Sequence, residues 1–132
     1  FRILDKMGMD PEDVAVVVTA IGNHDEHTAF PVNAVAAALI LADKTDVRRS
    51  RVRNRDTISF DIHDRVNYAV ERSALTLDKE KTSLTLSLSI DTEISAVMDY
   101  FEIFMTRMLL CRKAAEFFGL RFRLNINGSE VL

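Results

Sequence analysis

The spacing of apolar residues changes once along this chain, from a period near 3.6 to a period of 2, and a chain patterned in that way has to combine helices with a sheet. Val14, Val17, Val18 and Ile21 recur at i, i+3, i+4 and i+7, which predicts a helix with one buried face. Asp10-Pro11-Glu12-Asp13 marks its start: Asp10 can cap, Pro11 suits the first helical position, and the acidic residues face the positive end of the dipole. Gly22-Asn23 ends it, so His24, Asp25, Glu26 and His27 fall at or just past its carboxyl end. Pro31-Val32-Asn33 opens a second helix. Its run from Ala34 to Ala42 is apolar all round, and the expectation is a helix surrounded by protein.

From about Thr57 the pattern shifts. Asp61 to Ser73 reads as a short amphipathic helix with Ile62, Val66, Ala69 and Val70 on one stripe. Leu75 and Leu77 then lead into the charged turn Asp78-Lys79-Glu80-Lys81, and Leu84, Leu86, Leu88 and Ile90 alternate with Thr85, Ser87 and Ser89, which predicts a hairpin with one apolar face. Ile94, Val97, Met98, Phe101, Met105, Met108, Cys111 or Arg112, Ala115 and Phe118 mark a long helix stopped by Gly119. Leu120, Phe122, Leu124 and Ile126 form a last strand ending at Asn127-Gly128. The expected fold is therefore α+β: a helical portion over residues 1–56, then an α+β unit over 57–132, in which a long helix covers a small, mainly antiparallel sheet in the chain order α-β-β-α-β. Such a sheet has an edge, and the long helix carries more apolar surface than three strands cover. Further helices, a second copy of the chain, or both are expected against it, which makes a homo-oligomer the expected state.

Composition narrows the classes further. With 132 residues, 48% apolar and 28% charged, the chain can bury one core. Four glycines and two prolines argue against linkers and disorder. The single Cys111 excludes an internal disulfide and a Cys-rich zinc site, and fits a reducing, cytoplasmic setting. The longest apolar run, Ala34 to Ala42, is nine residues, about half of the roughly 20 that span a bilayer. No membrane span and no secretory signal are expected. The chain starts at Phe1 and not at Met, which leads to the expectation that preceding residues have been removed.

Charge is distributed unevenly. The total is −3, yet Arg48, Arg49, Arg51, Arg53 and Arg55 place five positive charges in eight positions, and removing them from the total leaves −8 for the rest. Two polar clusters stand apart from the packing pattern: Gly22-Asn23-His24-Asp25-Glu26-His27, and Ala42-Asp43-Lys44-Thr45-Asp46-Val47-Arg48-Arg49-Ser50-Arg51. Imidazole and carboxylate together suit a borderline transition metal or Mn, and arginines beside a metal suit a phosphate ester whose oxygens they neutralise. Asp43 shares a helical face with Ala36 and Leu39, so it is expected inside or at the wall of the core, where a carboxylate must be paired, hydrogen-bonded or metal-bound. Asp46 lies near it on that face. The competing assignment for His and Asp at helix ends is a cap or a surface residue.

Ile-Gly-Asn-His-Asp-Glu (Ile21 to Glu26), the segment Ala37 to Asp56 with its core Ala-Asp-Lys-Thr-Asp-Val-Arg-Arg-Ser-Arg, and Phe60 to Val70 together resemble the latter part of a bacterial HD-domain metal-dependent phosphohydrolase, and the similarity runs on to the terminal Asn-Gly. The resemblance implies a metal site built from a His, a His-Asp pair, sometimes two further His, and a final Asp. On that pattern His24 matches a later histidine and Asp43 the final aspartate, as ligands of a divalent ion such as Mn, Fe or Mg. Lys44 and Asp46 would act beside them, and Arg48 and Arg51 would bind a phosphorylated small molecule or nucleotide. The first His and the His-Asp pair have no counterpart here. His63-Asp64 has the same spelling but follows the final aspartate, so it is taken as a surface or capping pair. The chain therefore matches the carboxyl-terminal part of such an enzyme and is expected to bind metal weakly or not at all alone.

Other classes compete. One is a non-catalytic effector-binding or dimerisation module that keeps an arginine-lined anion pocket. Another is an RNA contact, which is the weaker reading because no aromatic residue is interleaved with the arginines and the nearest, Phe60, lies outside them. Some arginines are expected to pair with Asp46, Asp56 and Asp61. His27 reads as a loop residue, Cys111 as a small core residue, and the Met98, Met105 and Met108 stripe as core packing.

Overall fold

The computed structural model describes residues 1–54, 56, 59 and 61–132, so Arg55, Phe60 and the change of pattern at Thr57 lie outside the described residues. The chain order is α1 (Arg2–Lys6), α2 (Pro11–Gly22), α3 (Ala34–Thr45), a 3-10 turn (Arg49–Arg51), α4 (Ile62–Ala69), β1 (Val70–Leu77), β2 (Ser83–Ile90), α5 (Val97–Phe117), β3 (Arg121–Ile126) and β4 (Ser129–Glu130). Three helices begin on side-chain caps, of which the one at Asp10 was expected. Asp10 accepts from the amide of Glu12 at 2.9 Å, Asn33 from Ala36 at 2.8 Å, and Asp61 from Asp64 at 2.7 Å. At the far end of α5, Gly119 takes φ +70 and the amide of Leu120 returns to the carbonyl of Ala115, closing the helix in the left-handed turn that glycine permits.

The fold is α+β, with a four-stranded sheet in the order β1-β2-β3-β4. β1 and β2 pair antiparallel, as do β3 and β4, but the central pair β2 and β3 is parallel over Ser83–Leu88 and Arg121–Ile126. Two of the three pairings are antiparallel, so the sheet is mainly antiparallel as expected, and the central pairing is the parallel exception. The reason is α5: a strand that leaves the sheet through a helix crossing its face comes back parallel. Alternation holds along the strands, with Leu84, Leu86, Leu88, Ile90, Phe122, Leu124 and Ile126 all buried. They meet Tyr100, Phe104, Met108, Cys111, Ala114 and Ala115 of α5, and the same core includes Ala37, Ile40 and Leu41 of α3. α2 packs on α3, and α3 on α5.

Four expectations about packing are corrected. The third helix ends at Ala69 and not at Ser73, because Val70 is already extended and pairs with Ile90 in the sheet. α3 is not surrounded by protein: Ala36, Ala37, Ile40 and Leu41 point inward, while Ala34, Val35, Ala38 and Ala42 are exposed. The inward face of α2 carries Val14 and Ala20, and Val18 and Ile21 are exposed, since α3 touches only one side of it. The methionine stripe of α5 divides. Met98 and Met105 share one exposed line of the helix, and Met108, turned about 60° from Met105 at ~100° per residue, falls inside the buried arc.

Candidate functional site

The polar clusters meet at the carboxyl ends of α2 and α3. His24 follows α2, with its Nδ1 2.6 Å from the carbonyl oxygen of Ile21. A carbonyl can only accept, so Nδ1 carries the hydrogen, and in the neutral form of the ring Nε2 is the nitrogen that keeps a lone pair. Asp43, in the last turn of α3, lies at the wall of the core as its helical phase requires. Burial alone would raise its pKa. The hydrogen bond and charge of Lys44, joined by the charges of His24 and Arg51, outweigh that and hold the carboxyl below its ordinary value. His24, Asp43, Lys44 and Arg51 thus share one electrostatic environment.

Lys44 is placed differently from a residue that lines a substrate surface. Its side chain is only 5% exposed, and Nζ donates to Asp43 Oδ2 at 2.7 Å. The long aliphatic stem lies in the core, and the ammonium is consumed in fixing one carboxylate. Asp46 caps the end of α3 and grips two arginines: Arg48 Nε at 2.7 Å from Oδ1, and Arg51 Nη1 at 2.9 Å from Oδ2. Asp46, expected to act beside the metal ligands, sets the direction of two guanidinium groups, each about half exposed.

The arginine run does not act as one patch. Arg49 turns the other way, donating from Nε to the carbonyl of Tyr68 at 2.7 Å, with its guanidinium 4.5 Å from the centre of the Tyr68 ring and 3.8 Å from Glu71. It fastens the 3-10 turn to α4 and β1. Arg53 is exposed, as are His27 and His63. Asp61 serves as the cap of α4.

Cavities border the arginines on two sides. One of about 350 Å³ is lined by Ala42, Thr45, Asp46, Arg48, Ser73 and Leu75, and another of about 360 Å³ by Ser50, Arg51 and Arg53. A larger cavity, about 820 Å³, is elsewhere, beside the β1–β2 turn. One of its two acidic residues, Asp78, is engaged by the amides and hydroxyls of Thr82 and Ser83, which hold the carboxyl far below the usual range and close the turn. Asp78 is thus committed to the turn, while Glu116, Arg121 and Arg123 also line that cavity, and Arg123 Nε is buried with no hydrogen-bond partner among the described residues. The pair of arginines on Asp46 is distinguished by its place beside Asp43 and His24.

One contact escaped the sequence. Glu26, in the loop that carries His24, forms an ion pair with Arg107 of α5, whose guanidinium also lies 4.7 Å from the Phe104 ring centre. The two residues are 81 positions apart, and no local pattern connects them. Ser73 makes a similar link, donating from its hydroxyl to the carbonyl of Thr45 at 2.9 Å and joining β1 to the end of α3.

Among the described residues no three His, Cys, Asp or Glu side chains gather as a metal-binding group. His24 and Asp43 are suitable donor types, yet two donors fall short of the three or four protein ligands such sites use, so the described residues do not by themselves complete a metal site. What they offer is an ionised carboxylate at neutral pH, an imidazole of fixed tautomer and two braced guanidinium groups. Among the described residues no helix is long and apolar enough to cross a membrane. Comparison of the chain with protein-family models, curated proteins and solved structures finds no match.

Proposed function

We propose that the chain carries the phosphate-binding side of a cytoplasmic HD-type phosphohydrolase, acting on a phosphate ester or anhydride. The observation that carries this reading is the convergence of Asp43 and His24 with Arg51, beside Asp46, which orients Arg48 and Arg51 together. Guanidinium groups held at a fixed angle suit the oxygens of a phosphoryl group, because the ordering cost of two long side chains has been met before the ligand arrives. Lys44 keeps Asp43 ionised and in place. In this reading His24 Nε2 and the Asp43 carboxylate are two ligands of a divalent ion, and the ligands that the resemblance adds, a His and a His-Asp pair, stand outside this chain. Such an ion, when bound, would supply an acidified water; this chain's own residues hold the carboxylate, fix the imidazole and neutralise the substrate.

A second reading rests on the shortage of donors: the arginine pair binds a phosphorylated effector and nothing is hydrolysed. Two titrations separate the readings. Adding Mn²⁺ while following the chain by NMR is expected to broaden the resonances of His24 and Asp43 first, and His24→Ala should remove that selectivity. Pyrophosphate is expected to bind, with Arg48→Ala and Arg51→Ala each weakening it roughly tenfold. Pyrophosphate binding with Mn²⁺ broadening spread evenly over surface carboxylates supports the effector reading. Loss of neither arginine affecting pyrophosphate sinks both.

A further inference from the structure

The outer face of α5 carries a pattern that the core does not use. Met98, Glu102, Met105, Leu109, Arg112 and Glu116 are all exposed, at successive spacings of four, three, four, three and four residues. With ~100° per residue, these six positions lie within roughly 40° of one line along the helix. The buried residues Tyr100, Phe104, Cys111 and Ala114 occupy the other side. Alternating steps of four and three are the spacing at which one helix presents a continuous seam to another. The seam is apolar at its middle, where Met105 and Leu109 are 41% and 39% exposed, and Met98 at its start is 73% exposed.

The order of the charges selects the partner. A two-fold axis crossing the seam at the level of residue 107 brings a second α5 alongside in the antiparallel sense. Met105 then meets Leu109 of the second copy, Leu109 meets its Met105, and Glu102 faces Arg112 at both ends. In the parallel sense Glu102 would face Glu102 and Arg112 would face Arg112, and like charges at those places repel. Over Glu102 to Arg112 the stripe is therefore complementary to itself in one direction only, which is the requirement for an isologous dimer, while at its two ends Met98 lies opposite Glu116. Arg112 is already drawn to this side by Glu116, with Nε 3.9 Å from Oε1. We propose that α5 is the dimerisation helix of this chain, pairing antiparallel with a second copy through Met105, Leu109, Glu102 and Arg112. The seam is shorter than a standard interface, so association depends on concentration. The proposal is independent of the phosphate site, since none of these residues contributes to it.

Sedimentation velocity on the full 132-residue chain, from roughly 1 to 500 μM, tests it. The expected result is a monomer–dimer equilibrium within that range. Glu102→Arg alone, and Arg112→Glu alone, should each shift the midpoint to at least about tenfold higher concentration, while the double exchange Glu102→Arg with Arg112→Glu should restore it. Circular dichroism confirms that each variant is folded, which surface substitutions on one helix face permit. A chain that stays monomeric throughout overturns the proposal and assigns the stripe to a different protein. A dimer indifferent to both single exchanges, or dispersed by them without rescue in the double exchange, overturns it equally.

Discussion

The two sides of the core are held by different means. On the sheet side Leu86 and Leu124 are fully buried, and every inward position of β2 and β3 carries a large apolar side chain, so register and burial enforce each other. On the α2 side the same kinds of residue are half used: Val18 and Ile21 are 40% and 55% exposed, and much of the order comes from polar fastenings such as Glu26 with Arg107. Dry packing fixes geometry cooperatively because each side chain fills the space left by several others. Polar fastening fixes one contact at a time, and it leaves charged groups near the surface, where a ligand can reach them.

The comparison can be broken by substitutions of equal chemistry on the two sides. Leu124→Ala is expected to cost about 2–5 kcal/mol in urea unfolding, the ordinary consequence of opening a cavity in a packed core. Ile21→Ala should change stability by no more than about 0.5 kcal/mol. Equal costs would mean that the exposed face of α2 is covered in solution.

The next effect concerns a polar link within the sheet side. Asn127, at φ +50, donates to the carbonyl of Ile90 at 2.9 Å and accepts from its amide at 2.7 Å, tying the β3–β4 turn to the end of β2. Asn127→Ala removes both bonds from a backbone conformation alanine resists, and about 1–3 kcal/mol of stability should go with them. Chemical denaturation measures that loss directly.

On the helical side the matching test is Lys44→Met, which preserves the buried stem and deletes the ammonium. A loss of about 1–2 kcal/mol is expected, moderated because Asp43 is a third exposed. The carboxyl of Asp43, held below its ordinary value, contributes stability that is present above the unfolded pKa of about 4 and is lost as pH falls through the lowered folded value. In Lys44→Met that pKa should move up toward the unfolded one in a carboxyl NMR titration, and the part of the acid limb due to Asp43 should vanish. An unmoved titration would show that His24 and Arg51 suffice to hold the carboxylate.

The smallest effect is expected at the β1–β2 turn. Asp78→Asn keeps the shape and loses the charged acceptor that Thr82 and Ser83 share, so the melting temperature should drop slightly at neutral pH. Because the folded pKa of Asp78 is depressed, its stabilisation exists above about pH 4 and fades below it, and the two proteins should converge as the solution is acidified. A difference that persists unchanged into acid would assign the turn's stability to its amide geometry alone.

Much of the fold was legible because it is written in short-range patterns. The cap at Asp10, the helix opening at Asn33, the stop at Gly119 and the alternation from Leu84 to Ile90 each follow from residues within a few positions of one another, whereas Asp61, expected to pair with an arginine, caps α4 instead. The candidate site was legible in part. Asp43 stands at the core wall as its helical phase indicates, and Arg48 and Arg51 do converge, but on Asp46, whose role in the fold is to brace them. The burial of Lys44 and the turning away of Arg49 toward Tyr68 were not readable, since a run of cations gives no sign of which neighbour each will find.

By itself, then, the sequence determined the main helices α2 to α5 and the strands β2 and β3, where most of them stop, and which strand face is apolar, all of which depend on backbone preference and side-chain period; α1, β4 and the first residues of β1 it did not give. The tertiary structure decided the remainder: that β3 returns parallel beside β2, that α3 shows one face of its alanine-rich run to solvent, and that the loop bearing His24 is clasped by Arg107 of α5. Those outcomes depend on which surfaces dock, and docking is settled by volume and by charge partners far apart along the chain, where no local period carries information.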